Sequence, residues 1–111
     1  MLMTYKKEQR VDLVKFMNNF SDDEVARVSQ EIDFILIRGQ SRILIDVSEL
    51  VNIGKGAMAM LLRLSKKAAQ RNGSMVLLNP SKQVSSILKL AKLECALKIF
   101  FCKQTAIQAL N

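Results

Sequence analysis

Two short apolar runs constrain this chain most: Arg42 to Val47 (RILIDV) and Ser74 to Leu78 (SMVLL). Both are rich in Ile, Val and Leu and show no polar alternation. They therefore read as strands buried on both faces, the kind found in the middle of a parallel sheet. Parallel neighbours cannot be joined by a tight turn and need a crossover of a dozen or more residues. The residues between the runs supply one, a helix expected from Gly56 to Asn72 and stopped by Gly73. Its apolar side is Leu61, Leu64 and Ala68 together with Met58, Leu62 and Ala69.

The flanking segments extend the pattern. Leu2 to Lys7 and Val11 to Phe16 read as a hairpin turning at Glu8, Gln9 and Arg10. Ser21 followed by Glu24 forms a capping box, and the acids Asp22, Asp23 and Glu24 suit the positive end of a helix dipole. Val25, Val28, Ile32 and Ile35 then share a helical face, with Gly39 as the expected stop. Asn79 and Pro80 fit an N-cap and a first helical residue, followed by the stripe Val84, Ile87, Leu88 and Ala91. Ile99 to Phe101 and Gln104 to Leu110 close the chain as a strand and a helix. The order is ββαβαβαβα, an α/β chain with a mixed sheet, parallel in its middle, read as one domain over residues 1–111.

Composition excludes several activities. The chain has no histidine, so Ser-His and Cys-His nucleophile pairs are absent. Two cysteines without histidine do not build a structural zinc site; Cys95 and Cys102 are expected to pack as small apolar residues. The acidic cluster at residues 22–24 is read as capping rather than as a calcium site. The start, MLMTYKKEQ, lacks signal-peptide order, and no apolar run is long enough to span a membrane. A cytoplasmic protein without cofactor is expected. The net charge of +7 is uneven: residues 1–50 hold seven Lys/Arg against nine Asp/Glu, and residues 51–111 hold ten against Glu94 alone. A basic half suits an acidic protein face, anionic lipid or nucleic acid. Nucleic acid is not the expected partner, because aromatics are only 5% of the chain and do not interleave with the basic residues.

Ligands of open α/β sheets sit beyond the carboxyl ends of the strands. Asp46 and residues 48–57 lie there, with Asp46 expected to hold the loop through backbone amides. The glycines around Lys55 suggest a phosphate loop. That motif requires Ser or Thr after the lysine and an earlier glycine, and Gly56 follows Lys55 instead. Bare amides at residues 54–57 leave a small-anion or nucleotide sensor as the alternative function. On the helix itself, Arg63, Lys66, Lys67, Gln70 and Arg71 share a face, with Gly56 and Ala59 above them. Such a face is either a solvated helix surface or a docking surface, on which small residues permit close approach and the basic stripe selects an acidic partner.

The stretch ILIDVSELVNIGKGAMAMLLRLSKKAAQRNGSMVLLN resembles the centre of STAS domains, the family of bacterial anti-sigma factor antagonists. Ile43 to Val47 matches the family strand, and Leu50 and Ile53 match its two apolar anchors. Ala57, Met58 and Ala59 stand at the family's Gly-Leu-Gly positions. The end, ILKLAKLECALKIFFCKQTAIQAL, is similar to the family's helix, strand and final Ala-Leu. The resemblance implies the STAS fold. It also implies a non-enzymatic interaction module whose partner is an anti-sigma factor or kinase-like regulatory protein. In switchable members that kinase phosphorylates a serine at the helix start. Here the family's Asp-Ser-Ser positions are Gly54, Lys55 and Gly56; the phosphoacceptor position is Gly56, and no Ser, Thr or Tyr lies between Ser48 and Ser65. The expected partner-binding set is Gly54, Lys55, Gly56, Ala59, Arg63, Lys66, Lys67 and Arg71, acting without that switch. A homodimer stays open.

Overall fold

The computed structural model describes residues 2–38, 42–93 and 95–111. Strands β1 (Met3–Glu8) and β2 (Val11–Phe16) form the expected hairpin. Helix α1 (Asp22–Arg38) leads to β3 (Arg42–Asp46), and α2 (Lys55–Gln70) leads to β4 (Ser74–Leu78). Helix α3 (Lys82–Leu90), β5 (Lys98–Phe100) and α4 (Lys103–Leu110) complete the chain. The sheet order is β1-β2-β3-β4-β5, with β1 antiparallel to β2 and every later pair parallel.

That sequential order has a geometric consequence. Crossovers of one hand that all step in the same direction leave their helices on the same face of the sheet. Accordingly α1, α2 and α3 cover one face, burying Ile32, Leu36, Leu61, Leu64, Val84 and Leu88 against Val14, Ile43, Ile45, Met75 and Leu77. Helix α4 follows the last strand and covers the other face, where Ala106, Ile107 and Leu110 meet Val11, Leu44, Val76 and Leu78. The strand residues alternate between the two cores, so β3 and β4 are buried on both sides as their unbroken apolar sequence requires.

The capping box forms as read. The Ser21 amide donates to Glu24 Oε1 at 2.9 Å, and the Glu24 amide donates to Ser21 Oγ at 3.3 Å. The bond from the Ser21 amide also holds the Glu24 carboxyl below its ordinary range. Other local expectations change. Helix α3 is capped by Ser81, whose Oγ accepts from the Val84 amide at 3.1 Å, not by Asn79. Asn79 instead adopts a left-handed conformation (φ 60°), and its amide donates to the Phe100 carbonyl at 2.7 Å, tying it to β5. The end of α2 turns on Asn72 (φ 63°) rather than on Gly73, whose amide reaches back to the Ala68 carbonyl at 2.8 Å. Lys92 (φ 59°) plays the same part after α3, with the Leu93 amide on the Leu88 carbonyl at 2.9 Å. The hairpin turn is two residues, Gln9 and Arg10, both left-handed. The expected stop at Gly39 lies outside the described residues.

Cys95 and Cys102 are exposed, which corrects the expectation that they pack as apolar residues. Cys95 falls in the turn between α3 and β5. Cys102 is the N-cap of α4, where the Thr105 and Gln104 amides and the Thr105 hydroxyl lower its thiol pKa.

Candidate functional site

Helix α2 starts where β3 ends, and the intervening loop is pinned from below. Val47, Leu50 and Ile53 are buried in the main core. Asp46 Oδ1 accepts from the Ser48 amide at 2.9 Å, an Asx turn that bends the chain away from the sheet. Asn19, in the loop after β2, clamps the outer side: its Oδ1 accepts from the Val51 amide at 3.0 Å, and its Nδ2 donates to the Asn52 carbonyl. Ser81 Oγ donates to the Leu50 carbonyl at 3.4 Å from the third loop at this end. Adjacent parallel strands bring their following loops together, so Asn19 was findable from topology, although not from its local sequence.

On this platform Gly54 is the N-cap of α2 in an extended conformation, φ −89° and ψ 173°, with no side-chain cap. Gly54, Lys55, Gly56 and Ala59 are all exposed. Neither Gly54 nor Gly56 has positive φ, so the strand-to-helix turn does not require glycine at either position. A Cβ at Gly54 would meet nothing within 4 Å. A Cβ at Gly56 would sit 3.4 Å from Asp22 Oδ1, an ordinary contact. The first turn of α1 therefore places an acid beside Gly56.

The basic residues of α2 divide into two groups. Arg63 and Lys67 turn toward α1, where Asp33 binds both. Arg63 Nη1 lies 3.3 Å from Asp33 Oδ1, Arg63 Nη2 lies 3.3 Å from Asp33 Oδ2, and Lys67 Nζ lies 3.1 Å from Asp33 Oδ1. Arg63 Nη2 also donates to Ser29 Oγ. Arg71 donates to the Ile37 carbonyl at 3.2 Å. Burial alone would raise the Asp33 pKa, but the bonds from Lys67 and Arg63 outweigh it and hold the carboxyl below its ordinary range. These three cations thus form an α1–α2 seam. Lys55 and Lys66 are exposed and make no ion pair among the described residues.

No group of three His, Cys, Asp or Glu side chains is placed to hold a metal among the described residues. No helix there is long and apolar enough to cross a membrane.

A mixed five-stranded sheet with three crossover helices on one face, and a loop–helix platform at the end of its third strand, is the architecture of anti-sigma factor antagonists. Residues 5–106 match the STAS domain, and the chain belongs to that family. A candidate anti-sigma factor antagonist from Thermotoga maritima superposes with a TM-score of 0.91 at 18% identity, covering 97% of this chain and 93% of that one. An anti-sigma factor antagonist from Mycobacterium paratuberculosis gives 0.86 at 13% identity, over 97% and 92%. Unphosphorylated SpoIIAA, a Bacillus cell fate determinant, gives 0.82 at 16% identity, over 96% and 94%. No curated protein matches in sequence.

Proposed function

We propose that this chain is a non-enzymatic interaction module that docks a regulatory protein through the loop and helix at residues 54–71. The partner is an anti-sigma factor or a kinase-like protein, and the role is cytoplasmic regulation of transcription without a serine switch. One observation carries the reading. The platform that supports the start of α2 is intact, and the residues it presents, Gly54, Lys55 and Gly56, are exposed and have no hydroxyl. A phosphoacceptor serine acts by adding about −1.5 to −2 charge; Lys55 instead puts a basic side chain at the start of α2.

The seam sharpens the docking face. Lys55, Gly56, Ala59 and Lys66 form its outward part, whereas Arg63, Lys67 and Arg71 reach a partner only at its rim. The complement of this face is a shallow surface whose acids meet Lys55 and Lys66 and whose uncharged part approaches Gly56 and Ala59. Asp22 Oδ1 stands beside Gly56, which disfavours an anion held there and equally keeps a partner's acids away from Gly56 itself.

Affinity capture with the wild-type chain and with the variants Gly56→Trp and Lys55→Glu/Lys66→Glu tests the proposal. Both variants should melt within a few degrees of wild type and lose the captured partner. A partner retained equally by both variants means that the docking face lies elsewhere.

A further inference from the structure

Strands β2 to β5 are parallel and all start at one end of the sheet, where α1, α2 and α3 also finish. The residues gathered there are basic. Arg10 precedes β2, Arg38 ends α1, Arg42 opens β3, Arg71 caps α2, Lys89 lies in the last turn of α3, and Lys92 follows it. Arg10 and Arg42 line one open hollow with Gln9 and Asn111. Arg71 donates to the Ile37 carbonyl at 3.2 Å, which joins the ends of α1 and α2. Most described acids stand elsewhere. Asp22, Asp23 and Glu24 open α1, and Asp46 and Glu49 follow the core of β3, all at the opposite end. Glu31 and Asp33 lie more than a turn up α1. Glu8 is held by Lys6 and Lys103, and Asp12 is only 2% exposed. Arg10, Arg38, Arg42, Lys89 and Lys92 make no ion pair among the described residues.

Helix dipoles account for Arg38 and Lys89, because a cation suits the negative end of a helix. They do not account for Arg10, Arg42 or Lys92, which lie outside the helices. Two of these are kept against the local backbone preference. Arg10 (φ 67°) and Lys92 (φ 59°) are left-handed, a conformation that Gly or Asn adopts at lower cost. Asn72, in the turn after α2, follows that preference. Twice at one end, then, a cation stands where another residue would fold more readily, the mark of a side chain used outside the fold. Apolar side chains stand among these cations. Ile37, beside Arg38, is 56% exposed, and Leu90, beside Lys89, is 85% exposed.

We propose that this end of the domain rests on an anionic lipid surface. Its arginines and lysines meet headgroup phosphates, and Ile37 and Leu90 enter the boundary of the acyl chains. The charge selects a polyanion, and the two apolar tips select lipid among polyanions. A nucleic-acid backbone offers phosphates but nothing in which to bury Leu90. An acidic protein would need two pockets matched to Ile37 and Leu90, whereas a bilayer receives them at any spacing. No helix among the described residues can span the bilayer, so the attachment is peripheral and reversible. The start of α2 lies at the opposite end of the sheet and stays uncovered. The lipid contact therefore does not depend on the docking reading.

Co-sedimentation with vesicles tests the proposal. The wild-type chain should bind vesicles of phosphatidylglycerol and phosphatidylcholine in equal parts, ignore phosphatidylcholine alone, and release as salt rises. Arg10→Gly and Lys92→Gly each remove a cation while relieving a left-handed backbone. Each should melt at or above the wild-type temperature and yet bind the mixed vesicles about fivefold more weakly. Ile37→Ser/Leu90→Ser keeps every charge and should weaken vesicle binding about tenfold. Melting curves confirm that this variant keeps its fold. Three results would overturn the proposal. One is a wild-type chain that leaves the mixed vesicles unbound. Another is vesicle binding that both glycine variants leave unchanged. The third is vesicle binding that the serine variant leaves unchanged, with duplex DNA or polyglutamate bound as tightly, which would make this end a surface for those polyanions.

Discussion

Asp33→Asn keeps the shape of the side chain at the α1–α2 seam and removes its charge. The carboxylate is one-quarter exposed, and its partners Arg63 and Lys67 are 48% and 33% exposed. Solvent screens pairs of this kind to about 0.2–1 kcal/mol each, so two pairs sharing one carboxylate amount to about 1 kcal/mol. With an unfolding entropy of about 2.1 cal/mol/K per residue, that loss lowers Tm by about 4 °C. The sign of the pH dependence follows from the lowered Asp33 pKa. The stabilisation is fully present above the unfolded carboxyl value of about 3.9 and is lost as pH falls through the lower folded value. Urea melts of wild type and Asp33→Asn should therefore differ at pH 7 and converge as the pH falls through the lowered Asp33 value. A difference that persists at acid pH would mean that Asp33 acts through packing. No difference at pH 7 would remove the seam as a stabilising feature. The same variant informs the docking reading. If Arg63 and Lys67 serve a partner rather than α1, freeing them strengthens capture; if they orient α2, capture weakens or stays as it was.

Two further substitutions test the local geometry. Lys92 holds a left-handed conformation that costs most residues energy and costs Asn or Gly little. Lys92→Gly should raise stability by about 0.5–1 kcal/mol in thermal melts, and a decrease would contradict that backbone assignment. Gly56 is the second residue of α2, with room for a Cβ beside Asp22. Gly56→Ala should stabilise by up to about 0.5 kcal/mol through helix propensity; a loss of Tm would mean that the Asp22 carboxylate cannot give way.

What was legible in the sequence was local. The strands Val11–Phe16 and Ser74–Leu78 match their expected limits because turn residues bound short apolar runs on both sides. The Ser21–Glu24 box is a contact between residues three apart and needs no tertiary knowledge. Helical spacing likewise grouped Arg63, Lys67 and Arg71 on one side of α2. It could not say what that side meets, because Asp33 lies 30 residues from Arg63 and arrives only through the fold. Asn19 and Asp22 reach the start of α2 in the same way, from a loop and a helix that follow the neighbouring strand. The cap at Ser81 was missed for another reason. Asn79 has a good cap's chemistry, but its amide is taken by β5, so the helix begins two residues later.

The sheet order repeats the chain order. During synthesis no strand has to wedge between two that have already paired; each joins the edge left by the one before. By the time β4 has emerged, β3 has both of its neighbours, and α1 and α2 have the surface they cover. The loop at residues 47–54 and the start of α2 are thus supported from both sides before α3, β5 and α4 exist. Of the described side chains that hydrogen-bond to the loop, only Ser81 comes later. A nascent chain stalled after β4 would already display the region through which this domain is proposed to meet its partner, before residues 79–111 have joined the fold.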